Sequence, residues 1–513
     1  MAKKNNMVTL KKYLPLIYIL FTSFQTYCQN NYDKNWMIGY SPLEKNSNIN
    51  GAKFVFNADS MTIIPIHKTI ELGQSSITMS DSLGNLQFYS NGCSINNSNH
   101  KTIINGDSIG KGNYEISYCY PIESGVIPLT QMLFSVPNLV KKDIYYLFYL
   151  NLTHAYSQGQ GFPLAPTLFY YSEIDMSNGS GKMLKKNEVI LKDTFARAML
   201  QGVKHKNNKD WWIIMPKSQS NCYFVTKIDY NGNISTTKQC DGLVWKDGDT
   251  KGQSIFSPNK KYFARLGSGH GLSIFDFDNE NGKIKAKYLI PIADTFYTSG
   301  VAFSSNSRYL YAMCNQKLYQ FDMKASNIEK SKILIAKLEK SPKSAYKISF
   351  GQSMLAPDGK IYIAGEATHD YLHVIHKPNL PGLSCNLEQY SLKLPCYNGY
   401  GLPNMPHFKD WQEDTTKITA INEWEEKGIK ALVYPNPATT DINLDLFGYI
   451  NQYKKGIFNL YDMQGNLAAS YSLLQNHDEY RFDISNLANG MYFWHLVLDD
   501  KVRQTGKVVV MKE

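Results

Sequence analysis

A short motif returns along this chain at intervals of about fifty residues, and that period constrains the fold more than any other feature. Gly73-Gln74-Ser75, Gly252-Gln253-Ser254 and Gly351-Gln352-Ser353 each open a stretch of strand-like sequence, and Ser299-Gly300 opens a fourth. From Gly252 to Gly300 is 48 residues, and from Gly300 to Gly351 is 51. Each unit reads the same way. An apolar run meets a turn such as Ser257-Pro258-Asn259 or Pro357-Asp358-Gly359, then an alternating strand such as Lys360 to Ile363. A third strand follows, as in Leu272 to Asp276, Leu318 to Asp322 or Leu372 to Ile375. Proline pre-sets φ and glycine accepts left-handed geometry, so both suit the hairpins these turns imply.

Three or four strands repeated at this period are the mark of a β-propeller blade. Two further blades are expected at Val203 to Val225, which holds the Trp211-Trp212 pair, and at Ile144 to Leu150 with Leu168 to Ile174. The composition agrees with an all-β chain: 36 tyrosines and an aromatic share of 13% suit pleated, half-buried surfaces. Residues 30–410 resemble secreted tryptophan-aspartate-like and YVTN-like propellers, although the Gly-His and Trp-Asp blade signatures are absent. The expected count is six or seven blades.

Lys3, Lys4, Lys11 and Lys12 precede an apolar run from Tyr13 to Phe24. That run is too short to cross about 30 Å of hydrocarbon as a helix but suits a signal-peptide core. Residues 1–28 are therefore expected to be a signal peptide, cleaved after Cys28 to leave Gln29 first. Loss of the four lysines lowers the formal charge from +10 to +6, spread without a basic run, which argues against nucleic acid as a partner. Gln25, Thr26 and Tyr27 are poor lipobox residues, and no later segment reaches membrane-spanning length. Export permits disulfides. Cys222 with Cys240, or Cys385 with Cys396, could staple short loops, and Cys314 is the expected free thiol. No Cys-x-x-Cys spacing suggests a metal site.

The pattern changes after Phe408. Residues 411–431 are charged and carry no strand period, which marks a linker. Residues 432–513 then read as a small antiparallel sandwich of short strands. Pro435-Asn436-Pro437 opens this unit, Asp462-Met463-Gln464-Gly465 makes a turn, Leu487-Ala488-Asn489-Gly490-Met491-Tyr492 follows, and Gly506-Lys507-Val508-Val509-Val510-Met511-Lys512 closes it. In that order the four motifs resemble the type A sorting domain of type IX secretion cargo in the Bacteroidetes. The resemblance implies motif residues at Pro435, Asn436, Pro437, Asp462, Gly465, Gly490, Met491, Tyr492, Gly506, Lys507 and Lys512. It also implies two partners, the outer-membrane translocon and a sortase-like peptidase cutting in or near 412–434.

Candidates for chemistry are few. Gly267-Ser268-Gly269-His270-Gly271 is a glycine-crowded loop rather than a nucleophile elbow. Asp276, Asp278 and Glu280 lack the glycine position and the bidentate glutamate of a calcium loop, so an Asn281-Gly282 hairpin turn explains them better. His373 and His376 fall on opposite faces of a strand. His205, beside the tryptophan pair, reads as a satisfied polar residue. No catalytic, cofactor-binding or metal-binding residue is therefore assigned, and no cofactor is expected. The expectation is an all-β protein, a six- or seven-bladed β-propeller followed by a small Ig-like β-sandwich. It is expected to leave through the periplasm for the medium or the outer cell surface. There the propeller would bind a glycan, a peptide or a surface partner; the alternative is a polysaccharide hydrolase or lyase with its site in the channel.

Overall fold

The computed structural model describes residues 31–512 apart from 41–48, 58–59, 111–118, 120–130, 155–163, 246–251, 268–269, 293–298, 341–348, 366–368, 400, 412, 414–429, 449–452 and 476. The expected signal peptide and most of the expected linker lie outside the described residues. Among the described residues, seven antiparallel sheets of three or four strands follow one another as far as Asn398. The first runs from Asn35–Ile38 through Gly51–Phe56 to Met61–Ile66, and the second from Ile77–Ser80 through Leu86–Ser90 to Ile95–Asn97. Four-stranded sheets then begin at Leu133–Pro137, Gln201–Lys204, Gly252–Phe256, Ser299–Phe303 and Phe350–Leu355.

These sheets close a ring. Asn35 donates to Ser80 Oγ across the first and second sheets (2.9 Å), and Phe88 meets Tyr145 edge-on across the second and third (5.2 Å). The Trp211 indole donates to Pro137 O (2.9 Å) and the Trp212 indole to Asn279 O (3.0 Å). Those two bonds explain the tryptophan pair: adjacent residues of one strand point to opposite faces and tie the fourth sheet to the third and the fifth. Tyr262 stacks on Phe303 (6.5 Å), and the Tyr311 hydroxyl reaches Pro378 O behind the seventh sheet (2.9 Å). Trp36 and Phe56 then pack against Tyr362 of the seventh sheet at 5.9 and 5.8 Å, which joins last to first. The architecture is a β-propeller with seven sheets.

The innermost position of the first blade is taken by the chain after the seventh blade. The Tyr40 amide donates to Tyr397 O at the end of the seventh blade (2.8 Å), the Asp33 carboxyl is bonded by the backbone of Phe408, and Asn404 donates to Leu133 O and Leu200 O, so residues 401–408 lie on the axial side of Asn35–Ile38. Pro403 and Pro406 lack N–H groups, which is why no continuous ladder forms there. The ring is thus fastened by chain from both its ends.

The C-terminal unit is a sandwich. One sheet orders Lys430–Tyr434, Asp441–Phe447 and Glu479–Asp483; the other orders Leu467–Leu473, Gly456–Tyr461, Gly490–Leu498 and Lys501–Val510. Phe458 stacks on Phe482 between the sheets (5.3 Å), with Leu444, Leu460, Leu496 and Val508 buried around them. Gly506 lies opposite Trp494, where a Cβ would come within 2.4 Å of the indole. One end of the sandwich rests on the sixth blade: Leu334 and Gly448 exchange backbone hydrogen bonds, and Lys337 pairs with Asp445 (2.9 Å) and Glu479 (2.8 Å).

Cysteine pairing differs in part from expectation. Cys222–Cys240 forms, between directly opposed residues of neighbouring strands, and a second bridge joins Cys93 to Cys119. Cys385 and Cys396 are both buried and outside any disulfide, as is Cys314. Cys385 sits in a 3-10 turn under Tyr311, while Cys396 lies near Lys68 and Glu71, so the two occupy different surroundings.

Candidate functional site

At the propeller axis Gln253 of the repeat, and Gln131 and Gln201 at the starts of two other blades, brace the inner strands. Gln131 accepts from the Ser254 amide (2.9 Å) and donates to Ser254 O (3.0 Å), bracing the third blade to the fifth. Gln253 accepts from the amides of Val301 and Ser353 (both 3.0 Å) and donates to Ser353 O (2.6 Å), bracing the fifth to the sixth and seventh. Asn404 donates to Leu133 O and Leu200 O (both 2.9 Å) and accepts from Gln131 (3.2 Å) and Gln201 (3.0 Å). All four amide side chains are buried. These four amides are committed to blade backbone and to one another, whereas the buried Gln352 Nε2 of the seventh blade has no hydrogen-bond partner among the described residues. Beyond the axis the chain leaves the ring under a strap of ion pairs: Asp410 with Lys204 (3.4 Å) and Lys260 (3.1 Å), and Glu413 with Lys261 (2.9 Å).

The residues weighed for chemistry are placed apart. His205 stacks on Trp212 (5.3 Å), and its Nδ1 accepts from the Asn207 amide (2.9 Å). Burial holds its pKa below the usual histidine value. Asp278 accepts from the amides of Glu280 and Asn281 inside its own turn, while Asp276 pairs with Lys287 and Glu280 with Lys206. Three carboxylates with three separate partners do not converge on one ion. His373 is buried, whereas His376 lies just past the strand with its Nε2 3.0 Å from Glu388. Of the glycine-rich loop, residues 268 and 269 lie outside the described residues. Among the described residues, no group of three His, Cys, Asp or Glu side chains is arranged to hold a metal.

The motif residues of the sandwich, by contrast, gather at one end. Asn436 sits between Pro435 and Pro437, both joined through cis peptide bonds, and accepts from the Val509 amide (2.9 Å) while donating to Lys507 O (3.3 Å). The Ala438 amide donates to Val509 O (2.8 Å), so the opening motif is sewn to the closing one. Asp462 accepts from the amides of Gln464 and Asn466 (both 2.9 Å), and Gly465 takes φ +85° in that turn, a left-handed value that favours glycine. Those amides hold the Asp462 carboxyl below the usual carboxylate range. Gly490, Met491 and Tyr492 pair with Val510, Val509 and Val508, and the Tyr492 hydroxyl donates to Ala488 O (3.0 Å). The Lys512 ammonium donates to Ser485 O and Leu487 O, and the Lys512 amide donates to Asn489 Oδ1 (2.8 Å). Gly506 lies farther along the last strand, under Trp494, while the Lys507 side chain is exposed.

Register explains the gathering. Tyr461 pairs with Phe493, Gly490 with Val510 and Asp441 with Asp483, so the turn after Tyr461, the start of Gly490–Leu498 and the end of Lys501–Val510 share one edge of the fold. The opposite edge carries Asp445, Gly448, Asp478 and Glu479, which face the propeller. The sequence order of the motifs gave no sign of this polarity. Asn489 and Ser485, which hold Lys512, were missed because their partner is a backbone group or a lysine distant in sequence.

Residues 432–511 match the family model described as "Secretion system C-terminal sorting domain". No curated protein matches the chain significantly. Similar solved structures include a protein from Lactobacillus plantarum (TM-score 0.37, 9% identity, covering 88% of this chain and 99% of that one). The periplasmic gluconolactonase of Pseudomonas aeruginosa is another (0.35, 10%, 93% and 99%). A third is the Cps50 β-propeller domain from Myceliophteria thermophila (0.28, 12%, 57% and 93%). Likenesses as loose as these say nothing about substrate. Residues 432–511 are a C-terminal sorting domain of the type IX secretion system, carried behind a β-propeller and marking the chain for export to the cell surface or the medium.

Proposed function

We propose that the propeller is a binding or adhesion module for a glycan, a peptide or a surface partner, delivered by its sorting domain and working after arrival. A leader over residues 1–28 would take the chain to the periplasm, where the motif residues Pro435 to Lys512 engage the translocon. A sortase-like peptidase would cut in or near 412–434, releasing the propeller or attaching it to the surface. The observation that carries the binding reading is the axis. Gln131, Gln201, Gln253 and Asn404 are buried there and bonded to blade backbone and to one another, which supports recognition at the rims, where loops of several blades converge.

The test is deletion of residues 432–513 followed by cell fractionation. Retention in the periplasm is expected; normal appearance in the medium or on the surface would overturn the export reading. Polysaccharide cleavage by the full chain would favour the alternative reading, a hydrolase or lyase with its site in the propeller channel, over binding.

A further inference from the structure

The sixth blade ends in the strand Ile333–Lys337, whose inner side pairs with Lys317–Asp322. Its other side is closed at Lys337 O by Gln389 of the seventh blade (2.9 Å) and would be open at Leu334, and an open edge is a template for another strand. Here the sorting domain occupies it. The Leu334 amide donates to Gly448 O (3.2 Å), and Leu334 O accepts from the Gly448 amide. Lysines flank that contact on the propeller side and carboxylates on the sandwich side. Lys337 pairs with Asp445 and Glu479, Lys317 with Asp478 (3.5 Å), and the Lys337 ammonium lies 5.7 Å from the Phe447 ring. Beside them is a cavity of about 680 Å³, lined by Ile335, Leu338, Leu383 and Leu387 from the propeller and Leu432 and Phe447 from the sandwich.

We propose that this edge of the sixth blade is a docking surface of the delivered propeller for an acidic, apolar extended strand of another protein, and that the sorting domain masks it in transit. The sandwich shows the chemistry the surface accepts: backbone pairing at Leu334, a carboxylate on each lysine, and an apolar residue toward the cavity. Strand addition of this kind draws affinity from main-chain bonds and specificity from flanking side chains. Covering the edge until arrival also prevents edge-to-edge association of unexported chains. The inference rests on the export reading, because the sandwich must be removed or displaced to free the edge. Its test uses purified protein, so it fails independently of any export assay.

The probe is a fluorescent synthetic peptide copying residues 441–448, Asp-Ile-Asn-Leu-Asp-Leu-Phe-Gly, with polygalacturonate as the anionic polysaccharide control. The full chain is compared with the double variant Asp445→Lys, Glu479→Lys, in which Lys337 loses both partners. Small-angle scattering reports whether the sandwich has lifted. The lifted variant is expected to bind the peptide at least tenfold more tightly than the parent chain, and Lys337→Ala added to it should abolish the gain. A lifted sandwich with no gain in peptide binding overturns the proposal, as does binding of polygalacturonate in place of the peptide. A sandwich that stays docked in the double variant overturns it too, since the carboxylates would then not be what holds the mask.

Discussion

His373 shows how single buried groups set the conditions this protein tolerates. Its ring packs on Phe350 (5.1 Å), and its Nδ1 accepts from the Tyr390 amide (3.2 Å). Burial, with His369 adding to it, pushes its pKa down to about 3 from an ordinary 6.5. Between those values the unfolded chain binds a proton that the folded chain does not, so stability is full above 6.5 and falls as the pH drops through the window. Urea midpoints measured from pH 7.5 to 4 should fall on acidification, and His373→Asn should flatten the slope. Asparagine keeps an acceptor for Tyr390, so its cost at pH 7.5 should be about 1 kcal/mol. An unchanged slope would remove His373 from the account. Two of the single residues the sequence singled out have local partners: His205 accepts from the Asn207 amide beside Trp212, and Asp278 caps its own turn. Both were readable because their partners lie within three residues. His373 was not, because its partners come from other strands.

At the scale of elements, the repeat spoke for the blade and not for the brace. Gly-Gln-Ser announces the start of an inner strand, and the period brought most of the blades within reach. The glutamine's partners lie 48 and 100 residues away, Val301 and Ser353 for Gln253, and no local pattern records such a bond. The inner strand of the first blade was hidden differently, since Pro403 and Pro406 read as loop and only closure of the ring requires an extended chain there. Two variants test the brace. Gln253→Ala leaves the amides of Val301 and Ser353 and the Ser353 carbonyl buried without their partner, and should cost about 2–4 kcal/mol in urea unfolding at pH 7.5. Gly300→Ala puts a Cβ 2.2 Å from Gly351 O, so the sixth and seventh inner strands must part. A loss of about 2 kcal/mol or more is expected, and an unshifted midpoint would show that the inner strands do not need this approach.

Across the whole molecule, the polarity of the sorting domain decides which substitutions should affect export and which only folding. The domain itself was legible because four motifs in order mark it, but nothing in that order indicates that they share one end. That follows from antiparallel register, which brings the turn after Tyr461, the start of Gly490–Leu498 and the end of Lys501–Val510 to the same edge. The acidic edge meets the propeller, so the motif end points away from the cargo and is open to a partner. Lys507 is exposed at that end and belongs to the closing strand, whereas Lys512 is spent on Ser485 O and Leu487 O. The two lysines should therefore behave differently. Lys507→Glu should leave the thermal midpoint within about 1 °C of the parent, as surface changes usually do, while the chain accumulates in the periplasm. Lys512→Glu removes a tie between the C-terminus and the 485–487 turn, so it should lower stability and export together. Normal export of Lys507→Glu would mean that the translocon reads the fold of the sandwich rather than the charge at its free end.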